Sequence, residues 1–301
     1  MIYAVIDIGT NSTRLYTAEI NKGCQRALDK GLETTRLGQD GLDGLLKEAP
    51  MERTAASVAR FAKRAQDAGA AKVFIYATAA VREAANQKDF ARLIRLGTGL
   101  DLDIISGETE ALIAYLGAAG EKDNRAVIDI GGGSTEVIIK KGEIRSLSLK
   151  LGAVRMMEKY GAEQLDEERI NQAARYADGI IAQYEKISPR GAQELIGVSG
   201  TPTTIAGIKL ALKEYQPERI QGLKLTLPEI HSAAKRLLGA SLAERKSITG
   251  MPPERADILQ YGSLILWRFM TLYGYEQLTV SDDDSLKGYI KYMILKGGIT
   301  E

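Results

Sequence analysis

Ten residues beginning at position 4, AVIDIGTNST, return almost unchanged from position 126 as AVIDIGGGST. In each copy an apolar run ends on an aspartate, Asp7 or Asp129, and a glycine-bearing turn follows at once. Glycine lets the backbone adopt positive φ and approach a ligand closely. Successive N–H groups in such a turn can converge on an anion. Thr10, Asn11, Ser12 and Thr13 in one copy, and Gly131, Gly132, Gly133, Ser134 and Thr135 in the other, add amide and hydroxyl donors. An aspartate beside a phosphate cradle is repulsive unless a divalent cation lies between them, and Mg²⁺ suits such an oxygen site. The chemistry implied is two facing cradles that hold a phosphate chain and its metal. The local alternative is a tight hairpin that needs Asp and Gly for its own turn. Short motifs do arise by chance, but two copies, each heading a similar half-chain, favour the functional reading.

The copies then diverge. Arg14 follows the first and Glu136 the second. Arg14 can neutralise phosphate, or pair with a nearby carboxylate as strand arginines commonly do. Glu136 can orient water or metal, or stand as a solvated acid. Hydrolysis also needs a base that places water in line with a phosphoryl group. Glu110, in the first turn of a predicted helix, is a candidate, although Glu108 and Glu110 would favour a helix N-terminus on charge alone. Arg82 in ATAAVREAAN could bind two phosphoryl oxygens at once, or be an ordinary surface arginine. Gly200 and Thr201 in GVSGTPTT precede a helix, where free N–H groups favour phosphate and where an ordinary capped start would look the same.

These residues need strands and helices to place them. IYAVIDI is apolar at nearly every position, which suits a strand buried on both faces. TRLYTAEI and CQRALDKGLETTRLG read as the next two strands, followed by a helix over about 51–67 with Val58, Phe61, Ala62 and Ala65 on one face. AKVFIYAT is a strand, KDFARLIRLG a helix, DLDIIS a short strand and GETEALIAYLGAA a helix. The second half repeats this order: strands RAVIDI, TEVIIKKG and EIRSLSLK, helices near 154–160 and 166–187, strand QELIGVSG and helix TPTTIAGIKLAL. Helices near 228–238 and 255–272, a strand QLTVSD and a terminal helix over about 285–298 complete the pattern. GEKDN at 120–124 is the least structured junction, so the domains are expected over 1–122 and 123–301, with the terminal helix free to pack back on the first.

Composition narrows the function classes. A chain of 301 residues with net charge +1 offers no global field for nucleic acid, so any anion site must be local. Cys24 is alone, which excludes an intrachain disulfide and suits a reducing compartment. His231 is also alone, which excludes any site built from several histidines. The N-terminus lacks a basic leader, and YGSLILWRFMTLYGY is too short and too interrupted to span a bilayer. A cytoplasmic protein without nucleic-acid or membrane partners is expected, and the sequence is compatible with a homodimer.

DIGTNSTR, ATAAVREAAN, IISGETEA, DIGGGSTE and GVSGTPTTIAG, in this order, resemble the Ppx/GppA family of exopolyphosphatases and guanosine pentaphosphate phosphohydrolases. That resemblance implies an α/β fold of two ribonuclease-H-like domains, of the actin-like ATPase superfamily, with an interdomain active-site cleft and Mg²⁺ as cofactor. It places the catalytic glutamate on Glu110, the phosphate-contacting arginine on Arg82, and metal or water ligands on Asp7, Asp129 and Glu136. Three positions depart from the family pattern: Thr109 stands where the motif has a glutamate, and Ser285 and Lys287 stand for a glycine and an arginine in VSDDDSLKGYI. The expected activity is exopolyphosphatase. Guanosine pentaphosphate (pppGpp) 5′-phosphohydrolase is the alternative, ahead of a non-catalytic polyphosphate or alarmone sensor and an ATPase or kinase of the superfamily. Longer family members carry an added C-terminal helical module; a chain that stops at Glu301 is expected to prefer short polyphosphate and to act with poor processivity.

Overall fold

The computed structural model describes residues 1–21, 24–39, 44–188 and 192–299. Contacts group the chain into two units, Met1–Gly117 with the stretch from Ser285 onward, and Ala118–Asp284. The boundary expected at GEKDN lies just beyond the one drawn by contacts. Among the described residues no helix is long and apolar enough to cross a membrane.

The first unit begins with β1 (Ile2–Ile8), β2 (Thr13–Asn21) and β3 (Cys24–Glu33), an antiparallel run. Then come α1 (Glu48–Asp67), β4 (Lys72–Ala77), a one-turn α2 (Ala79–Arg82), α3 (Gln87–Thr98), β5 (Leu102–Ile104) and α4 (Gly107–Ala119). The sheet order is β3-β2-β1-β4-β5, with β4 parallel to β1 and β5 parallel to β4. Apolar β1 lies mid-sheet and is buried over nearly its whole length, whereas the edge strand β3 carries charge and stays largely exposed. Helix α1 buries Val58, Phe61, Ala62 and Ala65 as its periodicity requires. It starts at Glu48 rather than near residue 51, because Pro50 falls in the first turn, where a missing N–H costs no helical bond.

The second unit repeats the plan. β6 (Arg125–Ile130), β7 (Thr135–Lys141) and β8 (Glu143–Leu149) form the antiparallel run, followed by α5 (Ala153–Tyr160) and α6 (Glu167–Ile181). Next are β9 (Glu194–Val198), α7 (Gly200–Lys209), α8 (Pro217–Ile220), β10 (Lys224–Thr226), α9 (Leu227–Leu238), α10 (Leu242–Lys246), α11 (Leu259–Tyr273) and β11 (Gln277–Val280). The sheet reads β8-β7-β6-β9-β11, the same order as the first, with β10 added antiparallel at the edge. Both sheets therefore have the ribonuclease-H-like order, and the duplication extends far beyond ten letters. Two helix limits differ from expectation. The helix expected to reach residue 187 leaves α geometry at Ile181 and tightens to a 3₁₀ turn over Ala182–Lys186. The helix expected from 255 begins at Leu259, since Pro252 and Pro253 start a separate 3₁₀ turn, Pro253–Arg255.

The last helix, α12 (Ser285–Leu295), packs on the first sheet's apolar face in a cluster with Val5, Tyr16, Phe74 and Ile113. Tyr289 stacks on Tyr76 with ring centroids 4.5 Å apart, and its hydroxyl donates to Asp103 at 3.0 Å. Burial pushes the acidity of that hydroxyl far down. A Cβ at Gly288 would overlap Ile113 O, so only glycine allows α12 to cross α4 this closely.

Candidate active site

The two duplicated strings fold into hairpins closed by the same hydrogen bond. Gly9 N donates to Ser12 O at 3.0 Å, and Gly131 N donates to Ser134 O at 2.9 Å. A Cβ on either glycine would sit 3.2 Å from that same oxygen, tighter than a side chain usually tolerates. Registers match as well: Asp7 faces Arg14 across β1 and β2, and Asp129 faces Glu136 across β6 and β7. One substitution at an equivalent position thus makes the two sites chemically unequal.

In the first unit the opposed residues form an ion pair. Arg14 donates through Nε and Nη2 to Asp7 Oδ2, with Nε at 3.0 Å, and Nη2 also reaches Ser285 Oγ at 2.8 Å. Its guanidinium is thus engaged with Asp7 and with Ser285, the residue that stands where the family pattern has glycine. In the second unit two carboxylates stand directly opposite one another, an arrangement that is destabilising without a counter-charge. Ser199 Oγ donates to Asp129 Oδ2 at 2.8 Å, and Ser148 Oγ donates to Glu136 Oε1 at 2.9 Å. Among the described residues no cluster of three or more acidic, histidine or cysteine side chains is assembled. That donor set fits Mg²⁺, which keeps several waters and binds through one or two carboxylates plus phosphate oxygens rather than in an all-protein cage.

Arg82 and Glu110 meet. Arg82, closing α2, donates from Nη1 to Glu110 Oε2 and to Ile105 O, both at 3.0 Å. The side chains are 30% and 39% exposed, so the carboxylate is oriented yet open to solvent. Helix α4 starts on Ser106, whose hydroxyl accepts from Thr109 N at 3.1 Å and donates to Thr109 Oγ1 at 3.1 Å. Thr109 therefore completes a neutral cap where the family motif has an acid, while Glu108 is exposed beside it.

A cavity of about 340 Å³ in the second unit is lined by Asp129, Gly131, Gly132, Ser199, Gly200, Thr201 and Arg255, among others. Ser199 precedes α7 with φ +63° and ψ −163°, a conformation that costs a non-glycine residue about 1–3 kcal/mol. That backbone directs its hydroxyl to Asp129. Arg255 lies against the first residue of α7, and a Cβ on Gly200 would overlap its guanidinium. Among the described residues the Arg255 side chain has no hydrogen bond or ion pair to protein. Free N–H groups at the start of α7, glycine amides and an arginine line one concavity, a setting that favours an anion.

The model of the Ppx/GppA phosphatase family matches residues 17–296. The chain belongs to this family. It is 31% identical to a bifunctional 3-dehydroquinate synthase/phosphatase of Fusobacterium nucleatum, covering 95% of this chain and 46% of that protein. It is 33% identical to a guanosine-5′-triphosphate,3′-diphosphate pyrophosphatase of Photobacterium profundum, covering 98% and 60%. It is 28% identical to exopolyphosphatase 2 of Mycobacterium tuberculosis, covering 95% and 96%. The chain thus spans about half the length of the first two relatives. A crystal structure of the Aquifex aeolicus Ppx/GppA phosphatase superposes with a TM-score of 0.90 at 26% identity, covering 97% of this chain and 99% of that one.

Within this Ppx/GppA chain the structure gathers Asp129, Gly131, Gly132, Gly200 and Thr201 around one cavity, and joins Arg82 to Glu110 as a separate pair. Thr10 and Asn11 are exposed on the first hairpin, with Ser12 half-buried beside them. Thr135 needs correction as a phosphate donor. It is fully buried and its hydroxyl donates to Leu151 O at 2.6 Å, so it anchors the hairpin from behind. Thr13 holds the equivalent place and meets Thr35 Oγ1 at 3.1 Å. Gly133 and Ser134 lie on the turn beyond the cavity lining. Ser199 and Arg255 are cavity residues that the sequence analysis passed over. Ser199 sits inside the quoted GVSGTPTT and could have been found there, whereas Arg255 lies in MPPER with no motif to mark it.

Proposed function

We propose that this chain is an Mg²⁺-dependent phosphoanhydride hydrolase that releases the terminal orthophosphate of inorganic polyphosphate. The observation that carries the reading is the Asp129–Glu136 pair, two in-register carboxylates at the foot of an amide-rich hairpin. Like charges held together beside an anion cradle are reconciled by a cation bound with its phosphate. Asp129 and Glu136 would hold Mg²⁺, with Ser199 and Ser148 fixing their orientation. When bound, the ion supplies positive charge to the phosphoryl oxygens.

The protein's own groups do the rest. The hairpin amides and the start of α7 bind phosphate oxygens. Arg255 adds a cation that forms no ion pair among the described residues. Glu110, held by Arg82, accepts a proton from the attacking water at Oε1 or Oε2. Arg82 keeps that carboxylate in one orientation and offers its remaining N–H groups to the phosphoryl group in transfer. The choice of polyphosphate is supported by exopolyphosphatase 2, a relative matched over nearly its full length. Guanosine pentaphosphate is the second reading, favoured by the 33% identity to the Photobacterium pyrophosphatase.

Orthophosphate release measured side by side on tripolyphosphate, long polyphosphate, guanosine pentaphosphate and ATP, with Mg²⁺ and with chelator, tests both. Polyphosphate turnover that disappears on chelation is the expected result. Turnover of guanosine pentaphosphate alone selects the second reading, and release from none of the four overturns both.

A further inference from the structure

The segment over 151–155 packs against the second hairpin, with Ala153 lining the same cavity as Gly131 and Gly132, and donates to the carbonyls of the turn. Gly131 O accepts from Ala153 N at 2.9 Å, and Gly132 O accepts from Val154 N at 2.9 Å and Arg155 N at 3.1 Å. Gly133 O accepts from Arg155 Nε at 3.1 Å, and Ser134 O accepts from Gly131 N. Every carbonyl of the turn is thereby engaged by a protein donor. In a trans peptide the N–H of one residue points opposite to the C=O of the residue before it. Engaging the carbonyls of Gly131, Gly132 and Gly133 from the α5 side therefore turns the N–H groups of Gly132, Gly133 and Ser134 the other way. Among the described residues none of those three amides donates to a protein acceptor.

We propose that 151–155 is a positioning element that presets the amides of the second hairpin for a phosphate, with Gly152 setting the approach and Arg155 acting as its adjustable tether. This inference rests on the reading of that hairpin as a phosphate site. Gly152 has no room for a side chain: a Cβ would overlap Gly132 O and lie 2.6 Å from the Gly133 carbonyl carbon. Arg155 is exposed, and among the described residues it forms no ion pair, so its bond to Gly133 O serves no buried charge.

The first hairpin is held in a similar way by the segment after β3. Thr10 O accepts from Gly38 N at 2.9 Å and Asn11 O accepts from Arg36 N at 2.8 Å. Arg36 adopts φ +49° there, and a Cβ on Gly38 would overlap the Thr10 side chain. In both units the segment after the third strand takes carbonyls of the turn, and TTRLG and KLGAVR share the Leu-Gly whose glycine lies against it. The segment takes two carbonyls in the first turn and three in the second, so the contact recurs in both units and in the second leaves three amides for a ligand.

Binding of tripolyphosphate with Mg²⁺, measured by calorimetry in a Glu110→Gln background where turnover is suppressed, tests the proposal. Arg155→Ala should weaken binding by about three- to tenfold, the worth of one hydrogen bond. In the otherwise native chain the change should fall on KM rather than on kcat, with the melting temperature unmoved. Arg155→Gln restores an N–H donor at the same number of bonds from Cα without the charge, and should recover most of the affinity. Gly152→Ala should weaken binding more than Arg155→Ala; if that variant does not fold, the Arg155 series decides. Unchanged binding in Arg155→Ala overturns the proposal, and so does an Arg155→Gln variant as weak as the alanine, since charge alone would then be acting. A native chain that binds tripolyphosphate in this Arg155-dependent way yet releases no phosphate keeps the inference and removes the hydrolase reading. The opposite pattern removes the inference and keeps the reading.

Discussion

Glu110→Gln separates chemistry from stability. The substitution keeps the size and planarity of the side chain and removes its charge and its basicity. Arg82 retains its bond to Ile105 O, so the guanidinium stays in place. The Arg82–Glu110 pair is about one-third exposed on each side, so its net worth to the fold is roughly 0–1 kcal/mol. At about 2–4 °C per kcal/mol for units of this size, melting should move by no more than a few degrees. Loss of a positioned base typically removes a factor of about 10²–10⁴ from the rate. At 1.36 kcal/mol per decade that corresponds to about 3–5 kcal/mol of transition-state stabilisation. KM should not rise, because a negative charge has been removed from a site that receives a polyanion. Orthophosphate release from tripolyphosphate at saturating Mg²⁺, with a thermal melt of the same preparation, reads both quantities. A kcat within about threefold of the native value, with melting intact, would falsify the assignment of Glu110 as base.

Arg82→Ala should lower kcat/KM by about 10- to 100-fold, with both constants affected, because it removes a charged donor and leaves Glu110 without its orienting bond; steady-state kinetics at fixed Mg²⁺ check this, and a native rate removes its role. Tyr289→Ala deletes a 2% exposed ring stacked on Tyr76 and should cost about 3–5 kcal/mol in urea unfolding; a loss under about 1 kcal/mol would mean that α12 is held mainly elsewhere. His231 stacks on Trp267 at 4.4 Å, and burial together with Lys235 and Arg268 lowers its proton affinity below the usual 6.5. The unfolded chain then binds the proton first, so this stabilisation is present above about pH 6.5 and is lost as pH falls through the lowered folded value. Urea midpoints at about pH 7.5 and 5.5 should therefore differ more in the native chain than in His231→Phe, and equal differences would exclude this source.

What the sequence revealed was local. The apolar run of β1, the two hairpins and the helical period of α1 are each set within a few residues, and each appears in the structure where the letters put it. The shared sheet order follows from repeated element order, since three antiparallel strands and a parallel crossover leave few arrangements. Other elements had signals that were passed over. Ser241 and Glu244 form a capping box at α10, and Thr226 with Glu229 forms another at α9, both readable as S/T-x-x-E. β10 is three residues long and exists only through its pairing with β11, so no period could betray it. Arg255 reaches the cavity from a proline-rich turn far from the motifs, and long-range placement of that kind leaves no local trace. Thr135 shows the converse. Its motif position suggested a ligand, and burial gave its hydroxyl to a backbone carbonyl instead.

The packing of α12 fixes an order of assembly. All of the second unit is synthesised between α4 and the helix that completes the first sheet's apolar face. A growing polypeptide can close the later sheet once β11 has emerged, while the earlier one waits with Phe74, Tyr76 and Ile113 uncovered. Domains usually mature on the ribosome from the N-terminal side. Here the first to be started is the last to be finished, and a nascent product halted before Ser285 would present that greasy surface to chaperones.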